Sequence, residues 1–317
     1  MDKFFKEKLE LVIYTVGYAK EVEAIVAIVK MDDVVSYTIA IDGYKVENRN
    51  IAFSILEYEK IENIDLLCWS HPDTDHSLGL EDYKKFISNR TKIVVGDGYS
   101  QTIQKWDDAN PVMNKFIRDE LMKDLKRKDR VIIKPVSTGM NLVNENYMNV
   151  KTAENFSLKI DAFAPNNYLN LRREIIGDDL IKNNISVGLT IHLGEAVAIF
   201  CADVPNVVFN QLNEFEFPTF VEYIKIPHHG SKSSNALLKK IQGQPLVACT
   251  TVNAKNSLPN KDILNAYKKM VKKIYCTNDL TKEEQLMEWG VHQTVIRIDA
   301  GELEEKSALY GNAKEVV

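Results

Sequence analysis

The opening of the chain alternates short apolar runs with polar breaks. LELVIYTV, VEAIVAIVK and SYTIAID are rich in β-branched residues and are separated by Gly17, the Asp32-Asp33 pair and Gly43. That pattern predicts strands. Between Asn48 and Ile61 the apolar positions Ile51, Ile55, Leu56 and Tyr58 fall at helical spacing. IDLLCWS is apolar through most of its length, as expected of a largely buried strand, and it runs directly into HPDTDHSLGL. A helix over EDYKKFISNR and a strand over TKIVVG follow. The stretch from about Asp97 to Arg130 is polar and helical in pattern, and ends in the basic cluster Lys123, Lys126, Arg127, Lys128 and Arg130. It reads as an insertion or lid, with the cluster as a solvated helix face or a local basic surface.

The second half returns to strands: VIIKP, LKIDAFAP, SVGLTIHL, AVAIFCAD, EYIKIP, PLVACTTV, KKIYCT and TVIRID. Two helices are predicted among them. One is SNALLKKIQ, opened by Ser233 or Ser234 as N-cap, and the other is KDILNAYKKMVKK. Many strands with few helices predict an α/β fold of two β-sheets sandwiched by helices. With no internal repeat and no Pro/Gly/Ser-rich linker, one domain over residues 1–317 is expected, with a helical insertion at about 97–130.

Composition narrows this picture. Forty Lys and Arg against 45 Asp and Glu give a net charge of −5, which argues against tight nonspecific binding of duplex nucleic acid. Cys68, Cys201, Cys249 and Cys276 form no CxxC pair and lie in or beside apolar runs. They read as buried, reduced thiols in a reducing compartment. No stretch approaches the roughly 20 apolar residues that span a bilayer, so a cytoplasmic protein with no membrane partner is expected.

The run Ser70 to Gly79, SHPDTDHSLG, carries the clearest chemistry. A buried strand delivers four metal-capable side chains, His71, Asp73, Asp75 and His76, within six residues. His offers neutral nitrogen and Asp offers charged oxygen, so one loop can aim several ligands at one point. The competing reading is a polar loop in which Asp73, Asp75 or Ser77 caps a following helix.

HPDTDH resembles the H-x-H-x-D-H signature of the metallo-β-lactamase fold, with Asp73 in place of the middle His. The H-x-D-x-D-H form is similar to the hydrolase domain of the DNA-uptake protein ComEC. TVGYAKEVEAIVAI and YTIAIDGY resemble that group's opening strands, IFCADV with Asp203 resembles its strand ending in Asp, and KIPHHGSKSS resembles its V-P-H-H-G-S-K-x-S segment. The resemblance runs from about Leu9 to Leu264 and implies a four-layer αββα sandwich. It also implies two divalent ions, Zn²⁺ or Mn²⁺ (Mg²⁺ is compatible with so oxygen-rich a set). His71 and Asp73 would serve one ion, Asp75 and His76 the other, and Asp203 would bridge them. Asp75, His228 and His229 take catalytic roles, with one of the two adjacent imidazoles propping the other, and Ser231 and Lys232 bind substrate. Two departures stand out. The group's late His is replaced within SLPNKDIL, where Leu258 and Asn260 are the matching positions, leaving Asn260 as a substitute ligand. Its His before the Asp203 strand is replaced within KNNIS, at Asn183 or Asn184. His192 reads as a strand residue and His292 as incidental.

The expected function is a metal-dependent hydrolase acting through a metal-activated hydroxide. The first choice is a phosphodiesterase or nuclease acting on an anionic substrate such as single-stranded nucleic acid or a nucleotide. The alternatives are an ester, lactone or thioester hydrolase on the same fold, and a degenerate binding or sensor module.

Overall fold

A computed structural model describes residues 3–18, 21–98, 115, 132–176, 182–213, 217–278, 288–299 and 302–316. The expected insertion lies almost wholly outside these residues. Among them the chain forms two mixed sheets. The larger runs in the order β1 (Lys3–Phe5), β8 (Met140–Asn149), β9 (Asn155–Ala164), β10 (Gly188–Leu193), β11 (Ala196–Phe200), β12 (Tyr223–Lys225), β13 (Val247–Thr250), β14 (Lys273–Cys276) and β17 (Lys314–Glu315). The smaller runs β16 (Glu302–Gly311), β15 (Trp289–Asp299), β2 (Leu9–Tyr18), β3 (Ala24–Met31), β4 (Val34–Ile41), β5 (Leu66–Trp69), β6 (Lys92–Gly96) and β7 (Ile132–Val136). The α-helices with ends among the described residues are α1 (Ile51–Tyr58), α2 (Asn167–Ile176), α3 (Asn206–Phe209) and α4 (Lys261–Lys268).

Strand periodicity explains the packing. In β2, Leu11 and Ile13 join one apolar cluster, while Val12, Tyr14 and Val16 join another, as alternating side chains of a strand buried on both faces must. The first cluster draws on both sheets: Ile25, Ile39 and Leu66 meet Ile160, Ile191, Phe200 and Cys249. The opposite face of the smaller sheet is covered by Ala52, Ile55 and Leu56 of α1 and by Leu80, Tyr83 and Phe86. Ile199, Ile224 and Ala248 of the larger sheet are covered by Val208 and Phe209 of α3 and by Ile263 and Tyr267 of α4. Each fully buried Leu, Ile or Phe contributes about 1.5–3 kcal/mol of transfer free energy. None of the four cysteines forms a disulfide, and all four are buried.

Two predicted α-helices are tighter than expected. EDYKKFISNR forms a 3₁₀ helix over Leu80–Phe86. Its buried residues Leu80, Tyr83 and Phe86 recur every third position, the spacing at which 3₁₀ side chains align. SNALLKKIQ is likewise 3₁₀ over Lys232–Lys239, and its cap is Ser231, whose side chain accepts from the Ser233 N–H, rather than Ser233 or Ser234. The strands β1, β8, β16 and β17 were not predicted. Among the described residues, no helix is long and apolar enough to cross a membrane.

Strand direction gathers the polar loops at one end of the sheets. β4 and β5 are parallel, and so are β11, β12 and β13. The loops after these strands carry Asp42, His71–His76, Asp203, His228–His229 and Thr251. β3 runs antiparallel to β4, so Glu23, one residue before β3, arrives at the same end.

Candidate metal centre

The HPDTDH loop is fixed to its neighbours through backbone hydrogen bonds. Glu23 N–H donates to Asp75 O (3.3 Å), Gly43 N–H to His76 O (3.2 Å) and Val187 N–H to Ser70 O (3.0 Å). Gly79 closes the loop; a Cβ there would lie 2.5 Å from the backbone nitrogen of Tyr44. Asp73 occupies the cap position of the 3₁₀ turn Thr74–His76 but makes no side-chain capping bond. The Asp73 carboxylate is therefore not spent on that helix end.

The side chains converge. His71, His76 and Asp203 are all buried, and their ligand atoms lie within 4.8 Å of one another. His76 Nε2 is 3.6 Å from Asp203 Oδ1, and His71 Nε2 is 3.8 Å from Asp203 Oδ2. A second buried group, Glu23, His76 and His229, shares His76 with the first. Asp75 joins the two, with Oδ2 3.3 Å from His229 Nε2 and 3.9 Å from His76 Nε2. Atoms bound tetrahedrally at roughly 2.1 Å from one ion stand about 3.4 Å apart, so these separations suit a shared cation. Both groups are of the type that holds metal ions.

Hydrogen bonding decides which imidazole nitrogen faces the centre. Ser70 Oγ donates to Asp42 Oδ2 (2.6 Å) and lies 3.0 Å from His71 Nδ1. A hydroxyl has one hydrogen. Ser70 gives it to Asp42, so His71 Nδ1 must be the donor to Ser70. The same logic holds for His229: Thr251 Oγ1 donates to Glu23 Oε2 (3.0 Å), leaving its lone pair to accept from His229 Nδ1 (2.7 Å). His76 Nδ1 donates directly to Asp42 Oδ2 at 2.7 Å. Each of the three rings thus turns Nε2 inward. Those three Nε2 atoms and Asp203 Oδ1 are buried and have no hydrogen-bond partner among the described residues. Four orphaned polar atoms at one point would be costly unless a ligand satisfies them. An ion held by nitrogen and carboxylate oxygen fits this donor set, with each ring's Nδ1 braced from behind.

Charge points the same way. Asp42, Asp73, Asp75, Asp203 and Glu23 face this region, against the ammonium groups of Lys182 and Lys225. Burial opposes charge on His76, yet Asp42, Asp75 and Asp203 hold its imidazolium well above the usual His range. Burial also opposes ionisation of Asp75, but His76, His229 and His71 keep its carboxyl well below the carboxylate range. Asp73 behaves likewise under His71 and Lys182. The cluster is one in which a cation is favoured.

His228 sits differently. It is 23% exposed, its Nε2 is 3.4 Å from Asp203 Oδ2, and its Nδ1 is 2.9 Å from Ser233 Oγ. Burial pushes its imidazolium below the usual range. His228 and His229 both adopt positive φ, 48° and 51°. Such residues cost on the order of 1–3 kcal/mol each and cluster at functional sites. The turn sends the two rings apart, one inward and one to the rim.

Not every expected residue joins the centre. Asn260 Oδ1 accepts from the N–H groups of Asp262 and Ile263 and caps α4. Its side-chain oxygen is thus engaged as a helix cap, and its N–H donates to Gly230 O beside His229. Lys232 is exposed and pairs with Asp262 at 3.1 Å. Ser231 caps the 3₁₀ helix beside His228. His192 lies half-buried in β10, and His292 is buried against Tyr275 with ring centroids 4.1 Å apart. Sequence reasoning did not name Asp42, Glu23, Lys182, Lys225 or Thr251. Asp42 was within reach, because it ends an apolar strand and precedes a glycine. No protein-family model and no curated protein matches this chain.

Proposed function

We propose that this chain is a metal-dependent hydrolase built as the four-layer αββα sandwich of the metallo-β-lactamase type, acting on phosphodiester bonds of nucleic acid or nucleotides. One observation carries the reading: Nε2 of His71, His76 and His229 and Oδ1 of Asp203 are buried together without hydrogen-bond partners among the described residues, while every Nδ1 behind them is bound. His71, His76 and Asp203 would hold an ion, with Asp75 and His229 adjoining. Such an ion would supply a nucleophile at neutral pH, since it can bring the pKa of water from 15.7 to about 7.

The chain's own residues do the rest. Asp42 and the Ser70 hydroxyl hold His76 and His71 in orientation. Glu23 and Thr251 do the same for His229. Asp203, central to the cluster, orients the attacking water toward the substrate. His228, on the rim beside Asp203, is placed to pass a proton to the departing oxygen. Lys182, on the rim beside Asp73, supplies positive charge to an anionic substrate, which favours phosphorus over an uncharged ester.

The test is to incubate the purified protein with Mn²⁺, Mg²⁺ or Zn²⁺ and three substrates: bis-p-nitrophenyl phosphate, single-stranded oligonucleotides and p-nitrophenyl esters. Turnover of the phosphodiesters that disappears in Asp203→Asn is expected. Ester turnover alone would replace this reading with an acyl hydrolase, and failure on all three under every ion would remove the enzyme.

A further inference from the structure

The resemblance leads to an expectation of two ions, and the geometry around Asp73 points to one. Asp73 Oδ1 accepts from Lys182 Nζ at 2.9 Å. Its other oxygen lies 3.5 Å from His71 Nε2. Lys182 opens the short 3₁₀ helix Lys182–Ile185, the KNNIS segment where an imidazole was expected. That segment docks on the start of the metal loop through Val187 N–H to Ser70 O. Both partners are about one-third exposed, 34% for Lys182 and 31% for Asp73, so the pair lies at the accessible rim of the buried cluster. Asp73 belongs to neither of the tight ligand groups.

We propose that Lys182 stands in for a second metal ion: the centre is mononuclear, and the Lys182 ammonium neutralises Asp73 and presents positive charge to the substrate's anionic oxygens. The inference rests on the metal-hydrolase reading above. An ammonium hydrogen-bonded to Asp73 sets a like charge where a second divalent ion would bind, and it occupies one of the carboxylate's oxygens. It also supplies part of what that ion would give, a fixed positive charge at a developing negative one. Lysine acts there as a compact point charge, a recognised partner of phosphate oxygens.

The experiment measures ion stoichiometry and affinity without reference to turnover. Metal-stripped full-length protein is titrated with Zn²⁺ or Mn²⁺ by calorimetry, and the loaded species are counted by native mass spectrometry. Wild type, Asp73→Asn and Lys182→Met are compared, with circular dichroism confirming that each is folded. Wild type should take one ion. Asp73→Asn should bind it within about 3-fold of wild type, since loss of even a supporting group around a metal typically costs 10–100-fold. Lys182→Met should admit a second, weaker ion. Two ions in wild type, a loss of 10-fold or more in Asp73→Asn, or a Lys182→Met chain that still takes one ion would each overturn the assignment while leaving the hydrolase reading standing. No ion bound by wild type would overturn that reading itself.

Discussion

Replacing Glu23 by Gln isolates the buried ion pair beneath the candidate centre. Lys225 Nζ donates to Glu23 Oε2 at 2.6 Å and to Ile226 O at 2.9 Å. Their side chains are 1% and 0% exposed. Gln keeps the shape and an acceptor for Thr251 but leaves the Lys225 ammonium buried without a counter-charge. Losing one member of such a pair costs about 3–5 kcal/mol. A second route gives a similar size. Burial opposes ionisation of Glu23, yet Lys225 and the neighbouring imidazoles bring its carboxyl to about 2 from a usual 4.5. That gap corresponds to roughly 3 kcal/mol of preference for the charged form. Removing both charges with Glu23→Gln and Lys225→Met should recover most of the loss, because an apolar replacement of a buried pair is often neutral or stabilising. The assay is urea unfolding followed by far-ultraviolet circular dichroism at pH 7 with chelator present, so that ion binding adds nothing to stability. The reasoning fails if the single variant loses less than about 1 kcal/mol, or if the double variant is no more stable than the single.

Two further outcomes are expected. Burial pushes the His292 imidazolium down to about 3, so between about pH 6.5 and 3 the unfolded chain binds a proton there that the folded chain refuses. Stability should therefore fall on acidification through that window, by on the order of 3 kcal/mol between pH 7 and pH 4 from this group. His292→Leu should flatten the acid limb, and parallel curves for the two proteins would refute the assignment. Asp42 has φ of 55°, a conformation Asn tolerates, so Asp42→Asn preserves the turn while removing the charge behind His76 and Ser70. Its Zn²⁺ affinity, measured by competition with a chromophoric chelator, should drop about 10–100-fold. An unchanged affinity would show that Asp42 only shapes the loop.

The strands that form the inner layers were legible because both faces are buried and their runs are almost purely apolar. β8, MNLVNENYMN, and β16, ELEEKSALYG, were not, because their exposed positions carry polar and charged residues and neither reads as an apolar run. β16 lies at an open sheet edge, where charge discourages pairing with another chain. At the centre, the metal-capable residues clustered in HPDTDH could be named from the run itself, and those of HHGS from the family resemblance. The groups that brace them could not. Glu23, Lys225 and Thr251 lie on three separate strand ends, and only sheet pairing brings β3, β12 and β13 to one place. Asn260 was named through the resemblance, and its local role, capping α4, is the ordinary one for Asn before a helix.

The parallel strand ends have a consequence for how the protein is made. His71 and His76 are close in sequence, but Asp203 and His229 come from the other sheet, and their alignment depends on both sheets packing over a shared apolar layer. Contacts of such large sequence separation form late, after long loops have closed. An ion therefore cannot nucleate this chain in the way that it organises a small zinc module. On the proposed reading, full-strength ion capture would require, and so report, the packing of the two sheets over their shared apolar layer.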